Sequence, residues 1–383
     1  MNITYDALIE QVKSYHPGKY PITRNFTNGA VTNWSPYISR GLLSPVLVME
    51  QLKMKYHQQE WMGFMQQMAW REYFQRVWQH KGNLILEDLK SAQSKVILES
   101  LPIPISEGNT GIQALDKAIH HLYAHGLMHN HVRMYISMLH SNIFKAAWLP
   151  GAKWMYANLL DHDPAANFLS WQWVAGTFSS KQYIANQENI NKYTNTKQRG
   201  TFLDREYENL QTSIFDHLDT IQSNHSGKWP DQLDQEYDVD TAVILKNIEN
   251  TNQSKIYDIN QIVPNIPFCI YNSFNLDPLW HADEETNRIL LLEPNHFDQF
   301  PVTEKVVQFI IDLATTNIQG IQIFIGNFED LLQHIQSSIY FKEHPTTLHY
   351  KGIQETRDWL FSEVNGYYPS FFGYWKKCER YLK

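Results

Sequence analysis

Apolar positions change their spacing about half-way along the chain. In the first 200 residues they recur every three or four positions, for example through residues 52–73 and 114–148. This is the period of an α-helix with one buried face. Prolines and glycines between residues 102 and 111 interrupt the pattern and separate the helices. The N-terminal half is therefore predicted to be mainly helical.

The pattern after residue 212 is different. Residues 213–262 are polar, which predicts a connector with some helix rather than a compact core. Residues 263–383 contain the short apolar runs PFCIYNS, RILLLEP, IQIFIG and SIYFKEHP, with helical patterns at 303–316 and 329–335. Strands alternating with helices predict a parallel sheet with helical crossovers. We therefore predict a helical domain over 1–212, a connector, and a smaller α/β domain over 263–383.

Composition limits the class of protein. The 383 residues are 43% hydrophobic and 19% charged, which provides enough apolar surface for two or three folded domains. No apolar run approaches the roughly 20 residues that cross a bilayer, and the first residues lack the basic and apolar stretches of a signal peptide. Cys269 and Cys378 are too few for a disulfide framework or a four-thiolate cluster. These features predict a soluble cytoplasmic protein without a metal site.

Charge is unevenly distributed along the chain. The formal net charge of −8 argues, by itself, against a nucleic-acid partner. Residues 1–212, however, hold 20 Lys and Arg against 16 Asp and Glu, a net of +4, and the remaining residues hold 12 against 24, a net of −12. A mildly basic front half and an acidic back half indicate two domains with different functions.

The densest group of chemically capable side chains lies between His129 and Thr177. Asn130 and Arg133 are three residues apart, which places both on one face of a helix. Downstream, the segment DHDPAANFLSWQW contains Asp161, Asp163, Asn167, Trp171 and Trp173. Taken separately, the acidic residues are also typical of a helix start and the tryptophans of a packed core. A metal site is disfavoured because further ligands are not spaced to complete it.

Taken together, this block resembles the FAD-binding core of DNA photolyases and cryptochromes. Trp148 follows Arg133 by fifteen residues, as in that family, and the aspartates, Asn167 and the WQW motif then follow in register. Two upstream segments, TNWSPYISRGLLSP and GFMQQMAWREYFQRVW, resemble the turn-helix and the WRE-containing helix of the family. The resemblance extends over about residues 18–210. It implies a photolyase-like helical bundle that binds FAD.

The resemblance implies specific FAD contacts. A guanidinium and carboxylates suit the charged and polar edges of the cofactor, and the turn before Ser35 suits its pyrophosphate. Asn167 matches the residue that faces flavin N5. The implied contacts are Tyr20, Thr32, Ser35, Phe64, Arg71, Asn130, Arg133, Asp161, Asp163 and Asn167. A second, antenna chromophore is left open, and its identity is unknown.

Two tryptophans match an electron-hopping chain in the family. Trp171 and Trp148 correspond to its first two members, although both are also consistent with buried core aromatics. The distal tryptophan that the family has before the EGNTG segment is missing, since ILESLPIPIS contains no aromatic residue. The relay then ends early, branches to another Trp or Tyr, or has no role.

The resemblance also implies a pocket for damaged DNA. Trp70 and Trp173 match the residues that stack on a flipped pyrimidine dimer, and Met134 matches one that touches the lesion. Gln67 replaces the family's Glu and His131 replaces an Arg, which weakens the case for dimer repair. Arg71 and other basic residues of the first 212 are also expected to meet DNA phosphates.

Three functions therefore remain open at this point. The leading interpretation is a light-driven DNA photolyase that uses reduced FAD, and the rival is a cryptochrome-like blue-light photoreceptor without repair activity. A third is flavin binding without photochemistry. The lesion type, the resting redox state of the flavin and the oligomeric state are not predicted.

The C-terminal segment has a weaker resemblance of its own. The family normally begins with an α/β antenna domain, whereas here RILLLEPNHF, IQIFIGNFEDLL and YYPSFFGYWKKC resemble parts of one placed after the helical domain. An unrelated α/β appendage is the alternative. The stretch SSKQYIANQENINKYT resembles the iron–sulfur branch of the family, but no cysteine precedes Cys269, so we expect no cluster.

Overall fold

The structure, a computed structural model, describes residues 3–210, 233–251, 256–258 and 261–382. Among these residues the chain divides into two compact units. The first unit comprises Met1–Gly18, Thr32–Gly82 and Val239–Lys383, and the second comprises Lys19–Val31 and Asn83–Asp238. Much of the connector predicted at 213–262 lies outside the described residues. The predicted boundaries at 212 and 262 therefore stay predictions.

Helices occupy most of the chain before residue 211. In chain order they are α1 (Tyr5–Ser14), α2 (Tyr20–Thr23), α3 (Ser35–Ser39), α4 (Pro45–Lys55), α5 (Gln58–Lys81), α6 (Ile103–Ser106), α7 (Gln113–His125), α8 (Asn130–Met138), α9 (Trp148–Asn158), α10 (Pro164–Ala175), α11 (Gln187–Thr194) and α12 (Tyr207–Leu210). The described helices that follow are α13 (Thr241–Thr251), α14 (Pro294–Gln299), α15 (Glu304–Asn317), α16 (Phe328–Leu332) and α17 (Phe371–Cys378).

Within the part of the chain that the structure describes, the strands form one short pair and one five-stranded sheet. The pair, β1 (Leu101–Pro102) and β2 (Asp234–Gln235), is antiparallel and belongs to the second unit. The sheet belongs to the first unit and consists of β3 (Phe268–Tyr271), β4 (Asn287–Leu292), β5 (Gln322–Ile325), β6 (Ile339–Lys342) and β7 (Ile353–Glu355). Its order is β5-β4-β3-β6-β7, and every described pairing in it is parallel.

The predicted fold class, a mainly helical N-terminal half followed by a smaller parallel α/β region, is confirmed. The strands β3 to β6 fall on the predicted apolar runs, and α15 falls on the predicted helix at 303–316. β3 is buried at all four positions, as a central parallel strand covered on both faces must be. β7 was not predicted, because its sequence Ile-Gln-Glu contains a single apolar residue and is largely exposed.

The long periodic stretch at residues 52–73 is divided between two helices. Leu52 belongs to α4, which ends at Lys55, and the extended backbone of Tyr56 and His57 separates it from α5. α5 begins with a capping arrangement in which Glu60 accepts a hydrogen bond from the backbone N–H of His57. Local capping thus overrides a continuous apolar pattern.

Helices α8, α9 and α10 form the centre of the second unit. Asp163 caps α10 by accepting a hydrogen bond from Ala166 N at 2.9 Å, and Pro164 occupies the first turn. α10 ends at Gly176, whose φ of 85° is a left-handed conformation that glycine adopts without strain. The predicted acidic helix start is confirmed. A π-helical turn, Leu139–Ile143, follows α8, and such turns occur frequently at functional sites.

Within the described residues, no helix is long and apolar enough to cross a bilayer.

Candidate functional site

A buried ion pair joins α8 to the segment before α10 in the second unit. Arg133 Nη2 lies 2.9 Å from both carboxylate oxygens of Asp161, and Arg133 Nε donates to Met128 O at 2.9 Å. The Asp161 side chain is 5% exposed and the Arg133 side chain 22%. Charges this far from water require partners, so the pair holds both groups in place.

Two further predicted residues lie at the start of α10. Asp163 is buried as the N-cap, and Asn167, one turn later, donates from Nδ2 to Ala152 O on α9 at 2.9 Å. This bond orients the Asn167 amide. Asp161, Asp163 and Asn167 thus form a buried polar cluster within seven residues of sequence. Together with Arg133, it offers a cation, carboxylates and an amide.

Other predicted residues of the second unit are more accessible. Asn130 is the first residue of α8 and is exposed, Met134 is half-buried, and Trp173 is 38% exposed, with its ring 6.0 Å from that of Tyr183. Tyr20 is the first residue of α2 and is half-buried, and burial raises the pKa of its hydroxyl.

His131 is a packed residue rather than a free substitute for an arginine. Its ring lies 4.7 Å from both Tyr135 and Tyr193, and its Nδ1 is 2.9 Å from Asn25 O. Burial lowers the pKa of His131, with Arg24 adding to the effect. The imidazole is therefore neutral near pH 7, with Nδ1–H donating to the carbonyl.

The predicted electron-relay tryptophans are both buried, Trp171 at 2% exposure and Trp148 at 4%. Trp171 packs against the backbone of α9 at Gly151, where a Cβ would lie 2.6 Å from Trp171 Cη2. Gly151 is one turn after Trp148 in the same helix. Because glycine has no side chain, the Trp171 indole can pack directly on the helix that begins with Trp148. His140, in the π-helical turn, contacts the Trp171 ring edge-on at 5.2 Å. Burial lowers the pKa of His140 to about 3.

The surroundings of Trp148 include residues that sequence reasoning missed. Trp148 Nε1 donates to Asp88 Oδ1 at 2.7 Å, and the backbone N–H of Trp148 donates to Gln93 Oε1 at 2.9 Å. Asp88 and Gln93 lie 60 and 55 residues before Trp148. Neither has a sequence signal that associates it with the relay.

The predicted residues of the first unit lie in α3, just before it, or in α5. Thr32 Oγ1 accepts a hydrogen bond from Trp34 N at 3.4 Å, and Ser35 begins α3. Phe64 is buried, with its ring 6.2 Å from that of Trp34. Arg71 donates from Nη2 to Ser39 Oγ at 2.9 Å.

Trp70 is stacked by the C-terminal helix. The Phe371 ring of α17 lies 3.7 Å from the Trp70 ring at an interplanar angle of 11°. One face of the indole is therefore covered within the first unit. Gln67, on the preceding turn of α5, is half-buried. Phe371 was not predicted to contact this residue.

A cavity of about 80 Å³ lies in the first unit, lined in part by residues that follow β3 and β6. Parallel sheets commonly bind ligands where the strand order reverses, and β3 and β6 flank that point here. The cavity is far below the roughly 300–1,000 Å³ of sites that enclose drug-sized ligands. Its volume is suited to a few water molecules rather than to an antenna pigment.

Comparison with known proteins identifies the helical region. Residues 64–241 match the family described as the FAD binding domain of DNA photolyase. Deoxyribodipyrimidine photo-lyases of Halobacterium salinarum and Agrobacterium fabrum are 30% and 32% identical over 123 and 179 residues, covering 31% and 45% of this chain and 26% and 36% of theirs. A chloroplastic/mitochondrial cryptochrome DASH of Oryza sativa is 31% identical over 173 residues, 41% of this chain and 28% of its own.

Two solved structures each match about half of this chain. A class III photolyase from Agrobacterium tumefaciens has a TM-score of 0.44 at 24% identity, covering 50% of this chain and 42% of its own. A Synechocystis cryptochrome has a TM-score of 0.45 at 21% identity, covering 50% and 43%. The chain spans 26% to 36% of the length of the three curated relatives. Residues 64–241, a little under half of the chain, thus match the family of the FAD-binding domain of DNA photolyase.

Proposed function

We propose that the chain is a light-driven DNA photolyase that splits pyrimidine dimers with FAD as its cofactor. Bound FAD supplies a blue-light absorber that exchanges single electrons with its surroundings. The protein binds and orients the cofactor, provides aromatic donors for its photoreduction, and presents a stacking surface to the lesion. Each of these tasks has a structural counterpart in the second unit.

The polar cluster of the second unit suits the cofactor. Arg133 supplies a positive charge that favours an anionic flavin, and its pairing with Asp161 holds it in place. Asn167 offers an oriented amide, which can accept or donate a hydrogen bond. We assign Arg133, Asp161, Asp163 and Asn167 to FAD. Tyr20, Thr32, Ser35, Phe64, Arg71 and Asn130 stay predicted contacts on the basis of the resemblance.

The buried tryptophans suit photoreduction of the cofactor. Indoles are the most easily oxidised common side chains after ionised thiols and tyrosinates, and Trp171 packs on the helix that begins with Trp148. We expect Trp171→Phe to slow flavin photoreduction strongly, since Phe keeps most of the volume but is much harder to oxidise. Transient absorption after a blue-light pulse measures the rate. An unchanged rate in Trp171→Phe would remove the relay from the proposal.

The observation that carries the repair function is the exposure of Trp173. An indole that is 38% exposed on α10 offers a stacking surface to a flipped base, and Met134, which was also predicted to contact the lesion, is half-buried. DNA is therefore the proposed partner. The basic charge balance of residues 1–212 suits contacts with phosphates.

A dimer-repair assay tests this function. A thymine-dimer oligonucleotide is incubated with reduced protein under blue light, and dimer loss is measured together with binding of damaged and undamaged duplexes. We expect repair, and expect Trp173→Ala to weaken lesion binding about 5- to 150-fold, because one base–aromatic stack contributes roughly 1–3 kcal/mol. Tyr381→Ala, which truncates another aromatic that is 47% exposed, is the matched control and should bind normally.

A photoreceptor role is the second candidate, and the stacking of Phe371 on Trp70 favours it. Trp70 was predicted to stack on the lesion, but one face of its ring is already occupied. Gln67 points the same way, because it lacks the charge of the acid found in the repair enzymes. Equal binding of damaged and undamaged DNA, with flavin photoreduction but no dimer splitting, would replace repair by this function.

A further inference from the structure

The two relay tryptophans differ in the environment of their indole N–H groups. Trp171 Nε1 is buried and has no hydrogen-bond acceptor among the residues that the structure describes. Trp148 Nε1 instead donates to the carboxylate of Asp88 at 2.7 Å, a short distance for an N–H···O bond and typical of a charge-assisted one. An oxidised Trp148 therefore has a base in contact with its acidic proton, and an oxidised Trp171 does not.

Gln93 stabilises the contact between Asp88 and Trp148 because it forms a hydrogen bond to each of them. Its backbone N–H donates to Asp88 Oδ2 at 2.8 Å, and its side-chain Oε1 accepts the backbone N–H of Trp148 at 2.9 Å. Gln93 Nε2 also donates to Ala146 O at 2.8 Å. The Asp88 carboxylate thus has one oxygen bound to the segment that follows it and the other directed at the indole. Asp88 is exposed to solvent, and its carboxylate contacts the buried ring of Trp148.

We propose that Asp88 is the proton acceptor that ends the electron relay at Trp148. The proposal rests on the proposed photoreduction of bound flavin, in which photoexcited oxidised flavin is the oxidant. An electron leaves Trp148 for the oxidised Trp171 indole, which returns to its neutral form. The Nε1–H bond of the Trp148 radical cation then breaks, an O–H bond forms on Asp88, and the proton continues to water.

Loss of this proton lengthens the lifetime of the charge-separated state. A neutral Trp148 radical must regain a proton before it can return to the closed-shell indole, so direct return of the electron is slowed. Before that step, the negative charge of Asp88 also stabilises the radical cation on Trp148 relative to Trp171. The relay then needs no third indole near the surface. This accounts for the absence of an aromatic residue from the segment ILESLPIPIS.

Transient absorption of the FAD-bound protein tests the proton transfer directly, since protonated and deprotonated tryptophan radicals have different spectra. In Asp88→Asn an amide oxygen still accepts a hydrogen bond but is a far weaker base. A positioned base accelerates proton transfer by roughly 10²–10⁴-fold, so we expect the radical cation to live about 100-fold longer in Asp88→Asn. Asp204→Asn is the matched control, because Asp204 is also exposed and accepts a backbone N–H, from Gly200. It should decay like the wild type.

A measurement in the dark tests the contact without photochemistry. In the FAD-bound protein labelled with ¹⁵N at its indoles, Asp88→Ala should move the Trp148 Nε1–H resonance upfield. The Trp154 resonance should stay in place, because that indole donates to the hydroxyl of Tyr123 at 2.8 Å. An unmoved Trp148 resonance would overturn the contact.

The outcomes separate this proposal from the proposed function. A radical cation that decays equally fast in wild type and Asp88→Asn would overturn the role of Asp88 while leaving photoreduction intact. Wild-type protein that forms no tryptophan radical under blue light would overturn the relay, and the role of Asp88 with it. A long-lived radical cation in Asp88→Asn, together with a shifted Trp148 resonance in Asp88→Ala, would support the proposal.

Discussion

Replacement of Asp161 by alanine is the perturbation whose effect follows most directly from the structure. The Asp161 carboxylate accepts both of its Arg133 contacts from one nitrogen, Nη2, at 2.9 Å. Asp161→Ala removes the negative charge and leaves the guanidinium in a site where 78% of the side chain is shielded from water. Among the residues that the structure describes, Arg133 then keeps its Nε bond to Met128 O. The variant therefore contains a largely buried, poorly compensated cation.

Removing one partner of a buried ion pair typically costs about 3–5 kcal/mol. Arg133 retains some exposure, so its guanidinium can be partly rehydrated. We therefore expect the free energy of unfolding to fall by about 2–3 kcal/mol, below the fully buried range. Urea unfolding followed by circular dichroism measures this value. Asp204→Ala removes an exposed acid of the same unit and should change it by less than about 0.5 kcal/mol.

A second variant separates loss of the pair from loss of the carboxylate. The double substitution Arg133→Met with Asp161→Leu removes both charges, and it should recover most of the stability lost in Asp161→Ala. It should not recover FAD, whose retention is measured by absorbance after gel filtration. If Asp161→Ala unfolds within about 0.5 kcal/mol of the wild type, the buried pair is not holding this region together.

Two further predictions concern packing and pH. Gly151→Ala places a Cβ 2.6 Å from Trp171 and 2.7 Å from His140, so both rings must move; overpacking of this kind costs about 1–3 kcal/mol, and an unchanged urea midpoint would contradict it. Burial raises the pKa of Glu72 above 4.5, although Tyr374 and two backbone N–H groups donate to its carboxylate. The unfolded chain then ionises at this position at lower pH than the folded chain, so stability due to Glu72 declines as the pH rises through the folded pKa. The unfolding free energy of wild type relative to Glu72→Gln should fall as the pH rises above 4.5, and a difference independent of pH would refute this.

Local patterns determined the elements and most of the chemistry that the sequence could predict. Helical spacing, short apolar runs and turn residues depend on neighbours within a few positions, and the strands β3 to β6 appear where those runs lie. Asp163 could be predicted as a helix cap for the same reason, since capping involves residues three apart. The motif with Asp161, Asn167, Trp171 and Trp173 could also be identified from the sequence, because its members lie within one short segment.

Tertiary structure decided the contacts between distant segments. Asp88 meets the indole of Trp148 across 60 residues, and Phe371 covers Trp70 across 301. No periodicity links such positions, because chain folding rather than local geometry brings them together. The pairing of Arg133 with Asp161 is an intermediate case: both residues were predicted, but their direct contact was not.

The composition of a folded unit was likewise beyond the sequence. Residues 32–82 belong to the same compact unit as the sheet that begins with β3, although nearly 200 residues lie between them. A sequence pattern assigns each segment to helix or strand but does not specify which apolar faces pack against each other. Burial of those faces selects the partner, and that selection is a property of the whole chain.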